Sequence, residues 1–356
     1  MLFEQVRRAA DKISWAMAER VILIRGNGIA ACCCARLLQG QGTCVVVAEA
    51  KRPTLPAILV SESTQSLLAD IFRSREVFGG LHQIRKRIVA WGAGEPQVFP
   101  HSAVVASEQM LLDRLWARRE DLEGQAPRHA HWTIFTARPA ENAPEEMHFG
   151  SRRAFVGEVE LHGEAERDAC WIESVAGGWL FLLATGNAKG SLISAGGRGQ
   201  QLLGKSRLVA RQVRKVGDVQ AEFPAYPRIA ADLCGTGWLA CGTAAMSFDP
   251  LCGEGAGNAA REAILACAAV EAIAAGEAAD EVLAEYAMRL RLGFLRHLDN
   301  CREFYRRGDS DLFWSSELAL IEQGLAWTKK QIGGTPHPRF RLVDFTLKRM
   351  RSDETL

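Results

Sequence analysis

The stretch Val21–Ala50, VILIRGNGIAACCCARLLQGQGTCVVVAEA, decides how this chain is read. An apolar, β-branched run from Val21 to Ile24 leads into a glycine turn, and an apolar helical segment follows to Leu38. Gly40 and Gly42 break that segment before a second strand-like run from Cys44 to Ala48. This order predicts a βαβ unit with parallel strands and a right-handed crossover. Its turn, Gly26-Asn27-Gly28-Ile29-Ala30-Ala31, has the spacing G-x-G-x-x-A. Gly26 permits the tight turn, Gly28 lets a pyrophosphate approach the backbone, and Ala31 lets helix and strand pack closely. The helix start presents free N–H groups and the positive end of a dipole to such an anion. Glu49, followed by Ala50, closes the second strand where an acid would accept hydrogen bonds from a ribose. The set Gly26, Gly28, Ile29, Ala30, Ala31, Glu49 and Ala50 therefore predicts dinucleotide binding, with a plain structural βαβ unit as the alternative.

The rest of the composition narrows the class. At 356 residues and 48% hydrophobic content, the chain buries a large core and predicts two closely packed domains. Lys and Arg number 43 against 42 Asp and Glu, so no net field favours nucleic acid or an anionic membrane as a partner. The opening segment alternates charged and apolar residues without a signal-like hydrophobic run, which predicts a cytoplasmic protein. The apolar run AILACAAVEAIAA is too short for a span and is interrupted by Glu271, so no membrane segment is expected. Ten cysteines are scattered among apolar neighbours and read as reduced core residues. Cys32-Cys33-Cys34 acts as compact hydrophobic bulk in a packed helix, and no second Cys or His cluster accompanies it, so no metal is expected.

Further along, LPAILV has loop character until Ser61-Glu62-Ser63-Thr64, which caps a helix running through Phe72. A short strand at Ala103–Val105 precedes Ser107, the expected cap of another helix. HWTIFTA offers one brief strand, and the Pro/Glu-rich ENAPEEM reads as a linker. From Arg153 to about Gln220 the texture becomes β: AFVGEVEL, ACWIESV, WLFLLAT and SLISAG form successive strands, with a hairpin turn at Gly177-Gly178. An α/β pattern returns at GWLACGTAAM, and helices follow from about Ala278.

A second glycine turn, CGTAAMSFDPLCGEGAGNAAREA at Cys241–Ala263, carries a resemblance. Taken with the first turn, the Ser61-Glu62-Ser63 loop and the ACWIESVAGGWLFL hairpin, it resembles the FAD-dependent monooxygenases of the p-hydroxybenzoate hydroxylase class. The likeness is to the branch with tryptophan-halogenase-like proteins and flavoproteins that hydroxylate peptide-bound tryptophan. The family pattern G-D-A-A-x-x-x-x-P-x-x-x-x-G-x-x-x-A is matched at Gly242, Ala244, Ala245, Pro250, Gly255 and Ala259. The resemblance implies FAD held by Gly242, Thr243, Pro250, Gly253, Gly255 and Ala256 in addition to the first turn, with Pro250, Leu251 and Gly253 along the flavin face. It departs at Thr243, where the family has an aspartate for the ribityl chain, a change costing roughly 1 to 2 kcal/mol of hydrogen bonding. It departs again at Glu108, where the family often carries an arginine for the cofactor phosphates.

The implied fold is α/β: a Rossmann-like FAD-binding domain with a parallel sheet (19–150 and 229–275), an antiparallel β-sheet substrate domain (151–228) and a C-terminal helical region (276–356). The implied activity is hydroxylation of an aromatic substrate, free or carried by a peptide or carrier protein, through a flavin C4a-hydroperoxide. Electrons come from NAD(P)H or a separate flavin reductase. His101, Glu62 and Glu254 are the candidate acid/base residues, each also readable as a structural polar group. Trp179, Phe181 and Trp171 are candidates for substrate stacking, with core packing as the alternative. Phe304, Tyr305, Phe313 and Trp314 suit a helical cap or a docking face for a protein substrate. Halogenation is disfavoured, because neither a W-x-W-x-x-P segment nor a lysine in the helix after Ser61 is present. Two other readings stay open: a flavin-fold partner subunit with weakened or lost FAD binding, and a flavin dehydrogenase or reductase without oxygen transfer.

Overall fold

A computed structural model describes residues 20–47, 54–117, 129–139, 144–334 and 338–350. The first glycine turn lies between Val21–Arg25 (β1) and helix Ile29–Leu37 (α1), and the chain returns through Thr43–Val47 (β2), parallel to β1. Both faces of β1 are covered, which is why its sequence is continuously apolar rather than alternating. Next come Ile58–Ser61 (β3), Glu62–Phe72 (α2), His82–Ala90 (β4), Gln97–Ala106 (β5) and Glu108–Trp116 (α3). Trp132–Phe135 (β6) joins the other side of β1, in parallel. Glu146–His148 (β7), Arg153–Leu161 (β8), Ala169–Val175 (β9), Gly178–Gly186 (β10) and Lys189–Ala195 (β11) follow. Then come the short helix Gly199–Leu203 (α4) and the long strand Val213–Pro224 (β12).

Arg228–Ala230 (β13), Cys234–Gly235 (β14), Trp238–Ala240 (β15) and Met246–Ser247 (β16) lead into Gly255–Ala274 (α5). Two long helices, Ala279–Arg306 (α6) and Leu312–Ile332 (α7), pack on each other, and a hairpin, Phe340–Val343 (β17) with Thr346–Arg349 (β18), follows them. The parallel sheet has the order β2-β1-β6-β15-β14, with only the edge strand β14 antiparallel. A second sheet of eight strands has the order β12-β8-β11-β10-β9-β4-β5-β3, and β7, β13 and β16 form a small third one. No described helix is long and apolar enough to cross a membrane.

Several local expectations hold. Ser61 caps α2 by accepting from the Thr64 amide, Ser107 caps α3 by accepting from Met110, and Gly177 and Gly178 take positive φ at the β9–β10 turn. The thiols of Cys32, Cys33 and Cys34 are all buried, because α1 is enclosed by its sheet and by α2, α3 and α5. Burial pushes the Cys33 thiol well above its ordinary range, leaving it an inert hydrophobe.

Other stretches differ. LPAILV contains a strand, since the β-branched Ile58–Ser61 pairs with β5 from Ile58 opposite Ala106 to Ser61 opposite Ala103. The strand expected at Ala103–Val105 runs from Gln97 to Ala106. Part of the expected linker ENAPEEM is β7, paired with β13. Strand β4 carries Arg85, Lys86 and Arg87 in succession, a poor strand signature. A bulge accommodates them, with the amides of Arg85 and Lys86 both donating to the Asp168 carbonyl at 2.7 and 3.2 Å. The antiparallel layer consequently reaches beyond 151–228, since β3, β4 and β5 supply three of its eight strands. The C-terminal region ends in a hairpin rather than in helix alone.

Candidate functional site

The two glycine turns meet at Thr136. Gly26 has φ +128°, and a Cβ there would lie 2.3 Å from Thr136 Oγ1; Gly242 has φ +55°, and a Cβ there would lie 2.9 Å from the Thr136 carbonyl and from Ala30 Cβ. Only glycine fits either place. Thr136 stands at the end of β6, where its amide and hydroxyl both donate to the Arg25 carbonyl at 2.8 and 2.9 Å. Sequence reasoning singled out neither Thr136 nor its role as the floor of both turns; the only cue was its place at the end of HWTIFTA.

Helix α1 starts at Gly28 in an extended conformation with no side-chain cap, and Ile29, Ala30 and Ala31 are buried. Helix α5 likewise starts without a side-chain cap, although α2, α3 and α7 each have one. Helices α4 and α6 are uncapped too, α6 with its start exposed to solvent. In α5 the first intrahelical bond runs from the Asn258 amide to the Glu254 carbonyl, so the amides before it have no intrahelical acceptor. Two uncapped helix starts on closely packed glycine turns fit a ligand with anionic character at two places. Glu49 and Ala50 lie outside the described residues.

Between these helix starts runs the segment 241–254. Gly242–Ala244 is a short 3-10 turn whose Gly242 amide donates to buried Glu262 at 2.7 Å. Thr243 is exposed; its hydroxyl is 3.5 Å from the Thr136 carbonyl, and its own carbonyl accepts from Arg228 at 2.9 Å. Pro250–Cys252 forms another 3-10 turn, ended by Gly253 at φ +65°. Glu254 accepts weakly from Thr64 at 3.4 Å and Arg261 at 3.5 Å, joining the starts of α2 and α5. Glu108 is turned inward: its carboxylate accepts from the Leu55 amide at 2.9 Å, and its amide donates to the Leu55 carbonyl at 3.0 Å. It anchors the approach to β3, a role its reversed charge relative to the resembled family did not reveal.

The eight-stranded sheet covers this segment. A Cβ on Gly253 would lie 3.8 Å from both Phe181 and Leu59. Trp179 and Phe181 share that face of β10, but Trp179 is fully buried and donates to the Tyr305 hydroxyl at 3.0 Å. Trp171 does not join them. It pairs with Leu182, which pairs with Leu192, and so lies on the opposite face, the one on which α4 packs at Leu192. One residue of offset separates the two faces of a strand.

His101 and Glu254 come within electrostatic range of each other, and Glu62 is exposed at the first turn of α2. The Arg87 guanidinium donates to His101 Nε2 at 3.2 Å, which makes that nitrogen the acceptor. Burial and then Arg87 lower the His101 pKa, with Glu254 opposing, so the imidazole is neutral at pH 7. Register places Arg87 opposite Cys170, and Cys170 opposite Leu183, on the Phe181 face. A cleft of about 1600 Å³ lies between α5 and α6 and touches the 241–254 segment at Met246, Phe248 and Glu254; the first glycine turn, His101 and Phe181 do not line it.

No family model matches this chain, and no curated protein does. Solved structures do. The flavin-dependent halogenase CmlS superposes with a TM-score of 0.72 at 16% identity, covering 89% of this chain and 71% of that one. The peptidyl tryptophan dihydroxylase QhpG, essential for tryptophylquinone cofactor biogenesis, gives 0.66 at 19% identity over 94% of this chain and 86% of that one. HpxO of Klebsiella pneumoniae, complexed with FAD and uric acid, gives 0.60 at 15% identity over 87% and 96%. The chain therefore has the fold of flavin-dependent halogenases and monooxygenases, the branch its motifs resemble.

Proposed function

We propose that this chain is an FAD-dependent monooxygenase that hydroxylates an aromatic substrate, free or carried by a peptide or carrier protein. The observation that carries the reading is the convergence of Gly26 and Gly242 on Thr136, which brings the two glycine turns and their uncapped helices together. The start of α1, with Gly26, Gly28, Ile29, Ala30 and Ala31, would hold the pyrophosphate, with Glu49 and Ala50 at the ribose. Gly242 and Thr243 would meet the ribityl chain; Pro250 and Gly253 would lie along the ring; the Gly255 and Ala256 amides would face its pyrimidine side, where charge accumulates on reduction. Bound FAD would supply oxygen activation. Phe181 and Leu59 keep that space apolar, and neutral His101 would take a proton from a phenol or indole at Nε2, its unprotonated nitrogen, once the Arg87 hydrogen bond there is exchanged for one from the substrate. Glu254 favours the protonated imidazole that results. Electrons would come from NAD(P)H or a flavin reductase.

A second reading, a partner subunit of this fold with weakened FAD binding, is favoured by Thr243 in place of an acid and by the commitment of Glu108 to Leu55. Visible absorbance of the purified protein with and without added FAD, followed by titration, separates the two. A bound flavin spectrum supports the enzyme; a protein that stays colourless with FAD supplied removes it. Halogenation is opposed by the lysine-free helix Glu62–Phe72.

A further inference from the structure

The turn Pro250–Cys252 is held by a buried ionic cluster centred on Asp249, a position that the second glycine-turn pattern leaves unspecified. The side chains of Arg152 and Asp249 are fully buried and that of Glu317 is 2% exposed. Arg152 donates through Nε and Nη2 to the same Asp249 oxygen, at 3.0 and 2.6 Å, and through Nη1 to Glu317. The Tyr305 hydroxyl donates to that Asp249 oxygen at 2.7 Å while its ring lies under the Arg152 guanidinium at 4.4 Å. The other Asp249 oxygen accepts from the Leu251 amide at 2.8 Å, inside the turn, and the Asp249 amide donates to His297 Nε2 at 2.9 Å. Glu317 in turn accepts from the amide and hydroxyl of Ser151 at 3.0 and 2.7 Å.

Every polar atom of the Asp249 side chain is thus committed, and its partners come from separate parts of the fold: Arg152 before β8, Tyr305 and His297 on α6, and, through Arg152, Glu317 on α7. Two carboxylates and one guanidinium carry a formal excess of one negative charge in a dry interior, a costly arrangement that apolar residues of equal volume could replace. What such a network supplies is a fixed geometry for the backbone it grips. Here that backbone is the turn facing Phe181 and Leu59.

We propose that Asp249 is the positioning residue of the Pro250–Gly253 turn, and that the two C-terminal helices set the turn's place through Arg152, Tyr305 and Glu317. Its bearing on the cofactor rests on the flavin reading above; its bearing on the turn does not. The test uses the full-length protein, with Glu317→Gln, which keeps shape and removes one charge, and Tyr305→Phe, which removes one hydrogen bond to Asp249. Amide hydrogen exchange of Leu251 and Gly253 reads the turn directly, since those amides donate to Asp249 and to the Pro250 carbonyl. Exchange there should rise at least tenfold in Glu317→Gln, with Ile22–Ile24 unchanged, and by a smaller factor in Tyr305→Phe. If the flavin reading holds, the FAD dissociation constant rises at least fivefold in Glu317→Gln and the visible band of the bound flavin shifts. Exchange at Leu251 and Gly253 that rises no more than elsewhere overturns the proposal. If Glu317→Gln does not fold, Tyr305→Phe decides by the same comparison. Wild-type protein that binds no FAD removes the flavin reading and leaves the exchange result to stand alone.

Discussion

The Gly242 amide donates to Oε2 of Glu262 across 2.7 Å, so the second glycine turn hangs from the third turn of the helix that follows it. Burial pushes the Glu262 carboxyl up from an ordinary 4.5 to about 8, opposed by that amide and by Arg261. The folded state therefore keeps a proton that the unfolded state releases between those two values. Stability from this group is fully present at low pH and is lost as pH rises from about 4.5 to 8, at up to about 1.4 kcal/mol per unit. Burial moves half-buried Glu271 in the same direction, so the comparison is between wild type and Glu262→Gln. Thermal melts across pH 5 to 8 should fall for the wild type and flatten for the variant; parallel profiles would remove Glu262 as the cause.

Thr243 is exposed beside the Thr136 carbonyl, with room for an acid. Thr243→Asp should tighten FAD binding by roughly tenfold, the equivalent of about 1.4 kcal/mol for a charge-assisted hydrogen bond. Fluorescence titration of FAD measures it, and an unchanged or weaker dissociation constant would place the ribityl chain elsewhere.

Gly26→Ala puts a methyl group 2.3 Å from Thr136 Oγ1 at a φ of +128°. The expected cost is about 1 to 3 kcal/mol of stability from strain alone, together with loss of FAD binding. Calorimetry and titration check the two parts; a variant that keeps both native stability and FAD affinity would contradict the packed turn.

The two faces of the sheet make opposite forecasts for two aromatic residues. Phe181→Leu removes ring area next to Gly253 and should alter the bound flavin spectrum or its affinity. Trp171→Phe changes the far face and should cost stability, with the spectrum and FAD affinity of the wild type. A matched spectral change in both variants would count against the assignment of faces.

Much of the fold was readable because its constraints are local. A G-x-G-x-x-A turn between a strand and a helix leaves few conformations open, and Ser61 and Ser107 announce their helices by chemistry confined to one turn. Strand β4 was hidden because its Arg85-Lys86-Arg87 run depends on a bulge supplied by a carbonyl at Asp168, far along the chain. Trp171 looked equivalent to Trp179 until register assigned the faces. Glu108, Asp249 and Glu262 carry buried carboxyl groups, and an acid buried by its neighbours is spelled the same as one in solvent. Thr136 matters only through two turns that approach it from opposite ends of the sequence.

The parallel pairing of β4 with β9 has a consequence for how the molecule is made. It joins Arg87 to Cys170 and Ile88 to Trp171, and among the described residues it is the only strand pairing that links β3, β4 and β5 to the other five strands. During synthesis the three early strands emerge well before their partner exists, leaving one flank of β4 bare. The pairing joins residues about eighty positions apart, and contacts so distant in sequence favour slow closure of the eight-stranded layer. A chain cut between β5 and β8 would yield two fragments that hold three and five strands of an unfinished sheet.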